Sequence, residues 1–300
     1  MATKDKELTT QQHPLSVPGN EAPQLPVIPD PKEFETMIRD ALEGFVPSFE
    51  VIKIPTGGSL VWSIPGSEEP IMAKEFQGVI IDHFPTRVYW PGDYEGGNSP
   101  PDCSSLDART GTKYGQCKEC EFSQWGSGKE ERGQACKLVH RVYVLLANSE
   151  SIFPFLIPFP PTSAPERGGY EGCLPTYLVN KILGRLKKPS EVWTKFRLIE
   201  GINPKKIKYS KVACFLGADL TETEKKTAAF LKQHLKTAMR EKSFETAEYE
   251  TGKNGEETRG AEHREPQVAR ESQLRADMRE ADRQEAAGTL GQGGKDPWDK

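Results

Sequence analysis

A mainly β fold with flanking helices is what this sequence predicts, and three observations carry that prediction. Between residues 76 and 216, five stretches rich in Val, Ile, Phe, Tyr and Trp are bounded by Pro, Gly and Asn. Apolar residues at helical spacing recur before and after this region, and once within it near residue 180. Only 35% of the 300 residues are hydrophobic, beside 24 prolines and 27 glycines, so the packed part is smaller than the chain.

Residues 1–30 are predicted to be a disordered arm, because six prolines fall in the first 31 positions among Gln, Ser and Thr. Residues 31–75 read as a helix followed by a β-hairpin. Phe34, Met37, Ile38, Ala41, Leu42 and Phe45 share one helical face, and Asp30 before Pro31 suits a helix start. Strands at 49–54 and 60–64 flank Thr56-Gly57-Gly58, a turn signal. Spacing leaves open whether this hairpin joins the main sheet.

The core spans residues 76–216. A strand at 76–90 precedes a long loop at 91–137, strands follow at 138–146 and 153–159, and a helix at 175–187 carries Leu178, Ile182, Leu183 and Leu186 as its apolar stripe. Strands at 192–200 and 207–216 complete it. The order β, insertion, β, β, α, β, β is that of an OB-fold, a five-stranded Greek-key barrel. Another small β-barrel or an α+β sandwich would share it. Residues 217–242 contain a C-terminal helix with Ala228, Leu231, Leu235 and Met239 along one side, and residues 243–300 form an acidic, disordered or transiently helical tail.

The loop at 91–137 holds Cys103, Cys117, Cys120 and Cys136, spaced C-x13-C-x2-C-x15-C. A C-x2-C turn presents two thiolates to one tetrahedral ion, and the intervening segments have little apolar material to fold around. These four cysteines are therefore expected to ligate one structural Zn²⁺ per chain. A redox pair, an iron–sulfur cluster, or His140 in place of Cys136 are the alternatives. No secretory signal pattern or 18-residue apolar run is visible, so a reducing, cytoplasmic location without a membrane partner is expected.

The net charge of −4 conceals its distribution. Residues 241–300 carry 10 basic and 15 acidic groups, whereas residues 181–211 hold 10 basic groups against Glu191 and Glu200. Such a local excess suits a polyanion. Binding of single strands needs cations along the phosphates and rings on which bases stack. Lys187, Lys188, Lys195, Arg197, Lys205, Lys206, Lys208 and Lys211 supply charge, with Trp193 and Tyr209 interleaved. Arg87, Tyr89, Trp90, Arg141 and Tyr143 repeat the mixture on other strands. Alternate residues share a strand face, so Arg87 aligns with Tyr89, Lys195 with Arg197, Arg141 with Tyr143, and Tyr209 with Lys211. Near the C-terminus Asp296, Trp298 and Asp299 offer an acidic peptide with one aromatic anchor for a partner.

Catalysis is not expected. The chain has no GxxxxGK[ST], HExxH, GxSxG or dinucleotide fingerprint, and Asp82 and His83 point to opposite faces of a strand.

The OB-like element order with its cysteine-bearing loop, and the acidic tail, resemble phage and mobile-element single-stranded-DNA-binding proteins of OB type, and the segments PPDCSSLDARTG, YGQCKEC, WGSG and ACKLVHR separately look like a zinc-loop pattern of phage and integrative-element proteins. The zinc-containing binders of T-even phages are the particular likeness, although these use three cysteines and one histidine. The resemblance implies action in DNA replication or recombination, with the tail docking replication or recombination proteins. Two other classes fit the same residues: a zinc-loop interaction or scaffold module without DNA binding, and a zinc-ribbon transcription accessory factor.

Overall fold

The computed structural model describes residues 22–28, 30–41, 48–55, 57–91, 101–128, 131, 133–149, 151–166, 168–203, 206–242 and 244. All belong to the unit Met1–Lys253. Helix α1 (Pro31–Ala41) leads to the short strands β1 (Trp62–Ile64) and β2 (Ile71–Ala73), then to the long β3 (Glu75–Tyr89). The cysteine-rich loop holds β4 (Cys103–Ser105), β5 (Thr110–Gly111) and β6 (Gly115–Gln116). Strands β7 (Lys137–Leu146) and β8 (Phe155–Phe159) precede the short helix α2 (Leu174–Thr176), and β9 (Val192–Ile202), β10 (Lys208–Asp219) and α3 (Glu222–Glu241) follow. The molecule is mainly β with flanking helices, as the sequence predicts.

One antiparallel sheet in the order β10-β9-β3-β7-β8, with β4 against the end of β3, organises the fold. The 15 residues of β3 serve three partners: Glu75–Gly78 pair with β9, Gly78–Val88 with β7 and Arg87–Tyr89 with β4. A bulge between Ile80 and Asp82 adds bend where the strand passes from β9 to β7. Gly78 sits at this junction because a Cβ there would lie 2.4 Å from a Val144 methyl.

Each face of the sheet buries its own core. Ile80, Val142, Val144, Ile157, Phe159, Phe196, Leu198 and Val212 pack on one side with Trp62, Tyr177 and Ile182. On the other, Val79, Ile81, Tyr143, Leu145, Leu156 and Trp193 meet Phe34 and Ile38 of α1 and Ala228, Leu231, Leu235 and Met239 of α3. The α3 stripe is the one read from its spacing, and Thr221 with Glu224 closes a capping box at its start.

No ladder joins β8 to β10 among the described residues, so the sheet is open. Its two edges are instead occupied by the lead-in segment. Ile52 N–H donates to Leu156 O at 2.9 Å and Leu156 N–H to Glu50 O at 2.8 Å, while Ser210 Oγ donates to Ser59 O at 2.7 Å. Ile52 and Trp62 then fill the space between the edges as part of the first core.

Four sequence expectations change. The hairpin of 49–54 with 60–64 is absent: β1 pairs with β2, and only Lys53 bridges to Ser63. Within the arm, residues 22–28 are fixed, with Leu25 buried and Gln24 exchanging hydrogen bonds with Asn148 at 2.9 Å. On α1, Phe34 and Ile38 are buried but Met37 is exposed. The helix at 175–187 becomes a π-turn (Tyr177–Ile182) and a 3-10 turn (Leu183–Arg185). Hydrogen bonding five residues apart aligns Tyr177 with Ile182, both fully buried, and turns Leu183 and Leu186 out to solvent. Residues 1–21, 42–47 and 245–300, with most of the predicted tail, lie outside the described residues.

Candidate nucleic-acid interface and thiol cluster

The four cysteines converge although 33 residues separate the first from the last. Pairing of Tyr89 with Cys103 brings β4 to the end of β3, and Cys136 enters β7 beside it. Cys117 is held by its N–H on Arg109 O at 2.7 Å, Cys120 by Gln116 O at 3.1 Å, and Cys136 by Phe122 O at 2.7 Å. Ser123 Oγ donates to the carbonyls of Cys117 and Cys120, closing the C-x2-C turn. All four cysteines line one small cavity with Arg87, Gly111 and Phe122. His140 does not line it; it sits on β7 beside His83, ring centroids 5.9 Å apart.

Gly111 is required at the rim, since a Cβ there would lie 2.8 Å from Cys103 Sγ and 3.9 Å from Cys117 Sγ. Burial pushes the Cys136 thiol up to about 11, with the Arg87 guanidinium acting against it. Arg87 Nη1 is buried without a hydrogen-bond partner among the described residues. No group of three or more His, Cys, Asp or Glu among the described residues stands at metal-ligand spacing. What the arrangement offers is four soft donors around one cavity with a cation at its edge.

The second constellation lies on the outer face of β9 and β10. Lys195, Arg197, Ile199 and Gly201 share one side of β9, and Phe215, Ala213, Lys211 and Tyr209 stand opposite them in register. At Trp193 this side is covered by α3; further along β9 its side chains are exposed or half-buried. Arg197 lies 5.5 Å from the Phe215 ring centroid, and Lys211 Nζ 4.4 Å from that of Tyr170. The strand thus presents cations beside rings, the combination that single strands need.

No protein-family model, curated protein or solved structure matches the chain.

Several candidate residues lie elsewhere. Arg141 and Tyr143 share a face as predicted, but both are fully buried under the end of α3. Arg141 Nη1 donates to Lys242 O at 2.6 Å with its guanidinium over Phe244, and the Tyr143 hydroxyl donates to Met239 O at 2.9 Å. Trp193 is core, and Tyr89 stacks on Phe122 at 4.2 Å inside the cysteine loop, so neither offers a free ring. Arg87 belongs to the thiol cavity, and Trp90 is half-buried at the end of β3. Lys206 is exposed in the β9–β10 loop; Lys205, Asp296, Trp298 and Asp299 fall outside the described residues.

The local charge excess is smaller in space than along the chain. Lys181 pairs with Glu171, Lys187 with Asp219, Lys188 with Glu191, Lys208 with Glu200, and both Lys195 and Arg197 with Glu75. Glu171, Asp219 and Glu75 lie outside the window of residues 181–211 and escape a count along the sequence.

Sequence reasoning missed two rings. Phe215 continues the alternation of Tyr209, Lys211 and Ala213, a period-2 signal that was available. Trp125 is 84% exposed at the tip of the cysteine loop, where Gly126 and Gly128 N–H groups both bond Gly133 O. A glycine-flanked tryptophan in a polar loop has little core to enter.

Proposed function

We propose that this chain binds single-stranded DNA, with a partly open OB-type barrel as its scaffold and one structural zinc ion in its cysteine loop. The observation that carries the reading is the outer face of β9 and β10, where Lys195, Arg197 and Lys211 stand beside Phe215 and Tyr209. The strand order β8-β7-β3-β9-β10 supports the barrel type, with the lead-in segment wedged where the last pairing would close it. OB-folds engage oligonucleotides with the loops between strands 1 and 2 and between strands 4 and 5. In this chain those loops are the cysteine loop, with Trp125, and residues 203–207, with Lys206. The outer face of β7, usual in such folds, is filled here by the end of α3, which shifts the interface toward β9 and β10.

Zinc is supported by four thiols on a single cavity, a glycine where any side chain would crowd Cys103 Sγ, and a buried Arg87 Nη1 without a hydrogen-bond partner among the described residues. A metal-bound thiolate accepts such a donor, and the cation offsets the charge of four thiolates. A zinc ion held by Cys103, Cys117, Cys120 and Cys136 would cross-link the loop and would hold Trp125 and β4 in place. The proposed setting is phage or mobile-element replication or recombination, with the acidic C-terminal segment as the partner-docking element.

Titration of the tryptophan emission with oligo-dT and with matched duplex tests the reading. Trp62 and Trp193 are buried and Trp125 is exposed, so comparison with Trp125→Phe isolates the contribution of Trp125 from those of Trp90 and Trp298. Quenching by oligo-dT that weakens with salt is the expected result; no response to either DNA would overturn it. Elemental analysis should give about one zinc per chain.

A second reading, a protein-interaction module, is favoured by one observation. Val179, Leu183 and Leu186 form an exposed apolar stripe along the turns after α2. Capture of a partner protein that is lost in Leu183→Ser while oligo-dT gives no response would favour it.

A further inference from the structure

Helix α3 turns one side to the core and leaves lysines on another. Ala228, Leu231, Leu235 and Met239 are fully buried, whereas Lys225, Lys232 and Lys236 line an open groove. Its other wall is the turn before β9, with Lys188, Ser190 and Glu191. Four ammonium groups therefore face one carboxylate across a concave surface.

Two of the four have local partners: Lys188 Nζ lies 2.9 Å from Glu191, and Lys225 Nζ 2.7 Å from Glu222. Among the described residues Lys232 and Lys236 make no ion pair, and they stand one helical turn apart, where like charges repel. A helix selected for stability alone would alternate charge here, as Glu222 and Lys225 do. An anion in the groove removes the repulsion. The three α3 lysines spread over about 16 Å of helix axis, which suits a row of phosphates rather than a single phosphate group.

The groove also continues the strand face. Glu191 is followed directly by Val192, the first residue of β9, and Trp193 under α3 lies on the same side of the strand as Lys195 and Arg197. Lys187 on Asp219 joins the ends of β9 and β10 at the same place. A strand crossing the rings of β9 and β10 would thus run on past the turn onto α3.

We propose that this groove binds the phosphodiester backbone of single-stranded DNA leaving the β9–β10 face. The proposal rests on the single-strand reading above and extends it from Lys188, already a candidate by sequence, to the lysines of α3.

The test compares the full chain with Lys232→Gln/Lys236→Gln in oligo-dT binding across a salt series, with thermal unfolding of both as the folding control. Each lost phosphate contact on a single strand lowers the slope of log K against log salt by about 0.7, so the double variant should lose about 1.4. The Lys232→Arg/Lys236→Arg variant should keep the slope. A double glutamine variant with unchanged slope and affinity overturns the groove and leaves the single-strand reading standing. Absence of oligo-dT binding by the unaltered chain overturns that reading itself. Binding of poly-glutamate that the glutamine variant loses, with the DNA slope unchanged, overturns the phosphate assignment in favour of an acidic peptide.

Discussion

The Glu75 carboxylate, at the start of β3, accepts a hydrogen bond from Arg197 Nε at 3.0 Å and lies 3.3 Å from Lys195 Nζ. One acid thus holds both cations of the β9 outer face. It keeps them ordered and also neutralises part of the charge that a phosphate would meet. The bond from Arg197, followed by Lys195, holds the Glu75 carboxyl below the usual carboxylate range, against the opposing effect of burial. Because its folded value is depressed, the stability it contributes is complete above the ordinary value of 4.5 and is lost as pH falls through the lower folded one. Glu75→Gln should remove that part of the acid limb in thermal unfolding. At neutral pH it should tighten oligo-dT binding about threefold, by freeing two cations. Weaker binding in the variant would show that the acid positions the cations more than it masks them.

A second pH effect comes from His140. Burial, with His83 beside it, lowers this histidine from 6.5 to about 4. A depressed histidine is neutral in the fold and takes its proton more readily when unfolded. Stability should therefore fall as pH drops from about 6.5 to about 4 and flatten below. The cost is about 2 kcal/mol once partial exposure is discounted. His83 is lowered in the same direction by burial and adds to the slope. Chemical denaturation of His140→Phe across this range should show a shallower dependence; an unchanged one would mean that the ring is solvated.

Arg141 separates a structural from a binding role for the β7 outer face. Its guanidinium is fully buried and donates to Lys242 O. Arg141→Met should cost about 2 kcal/mol through loss of a charged hydrogen bond and should loosen the end of α3. The salt slope of oligo-dT binding should not change. A reduced slope would place Arg141 at the phosphates after all.

What the sequence allowed and what it hid follow from the range of the forces involved. Period-2 alternation correctly put Arg141 with Tyr143 and Lys195 with Arg197 on shared faces. It carries no information on what covers a face, and α3, about 100 residues on from Arg141, covers the first pair and spares the second. The α3 stripe was legible because the helix keeps its 3.6-residue period; the stripe after Pro175 was not, because a π-turn resets the phase. Cysteine spacing gave the common cavity, since chain ends near β3 and β7 must meet once those strands pair. Glu75, Glu171 and Asp219 were invisible to a local charge count because strand register, not sequence, brings them to the lysines.

Gly111 tests the thiol cavity without touching a cysteine. A methyl group at this position would stand 2.8 Å from Cys103 Sγ, so the thiol or its strand has to shift. Gly111→Ala should lower zinc affinity about tenfold, in the range seen when groups supporting a metal site are altered. Competition with a chromophoric chelator measures this directly. Equal affinity for the variant would remove Cys103 from the proposed ligand set.

Leu186 stands in the left-handed region at φ 57° and ψ 31°, with 98% of its surface exposed. Both features work against stability: a side chain in this conformation costs about 1 kcal/mol, and the leucine buries nothing in return. It ends the 3-10 turn at the place where glycine usually sits, donating its N–H to Leu183 O at 2.9 Å. Leu186→Gly keeps that hydrogen bond, relieves the strain and adds some freedom to the unfolded chain. The net result should be a gain of about 0.5 kcal/mol, read as a higher midpoint in chemical denaturation. Oligo-dT affinity should stay unchanged in the same variant, because the substitution removes no cation or ring of the proposed interface. A loss of stability would show that Leu186 packs in solution against a surface of the chain itself.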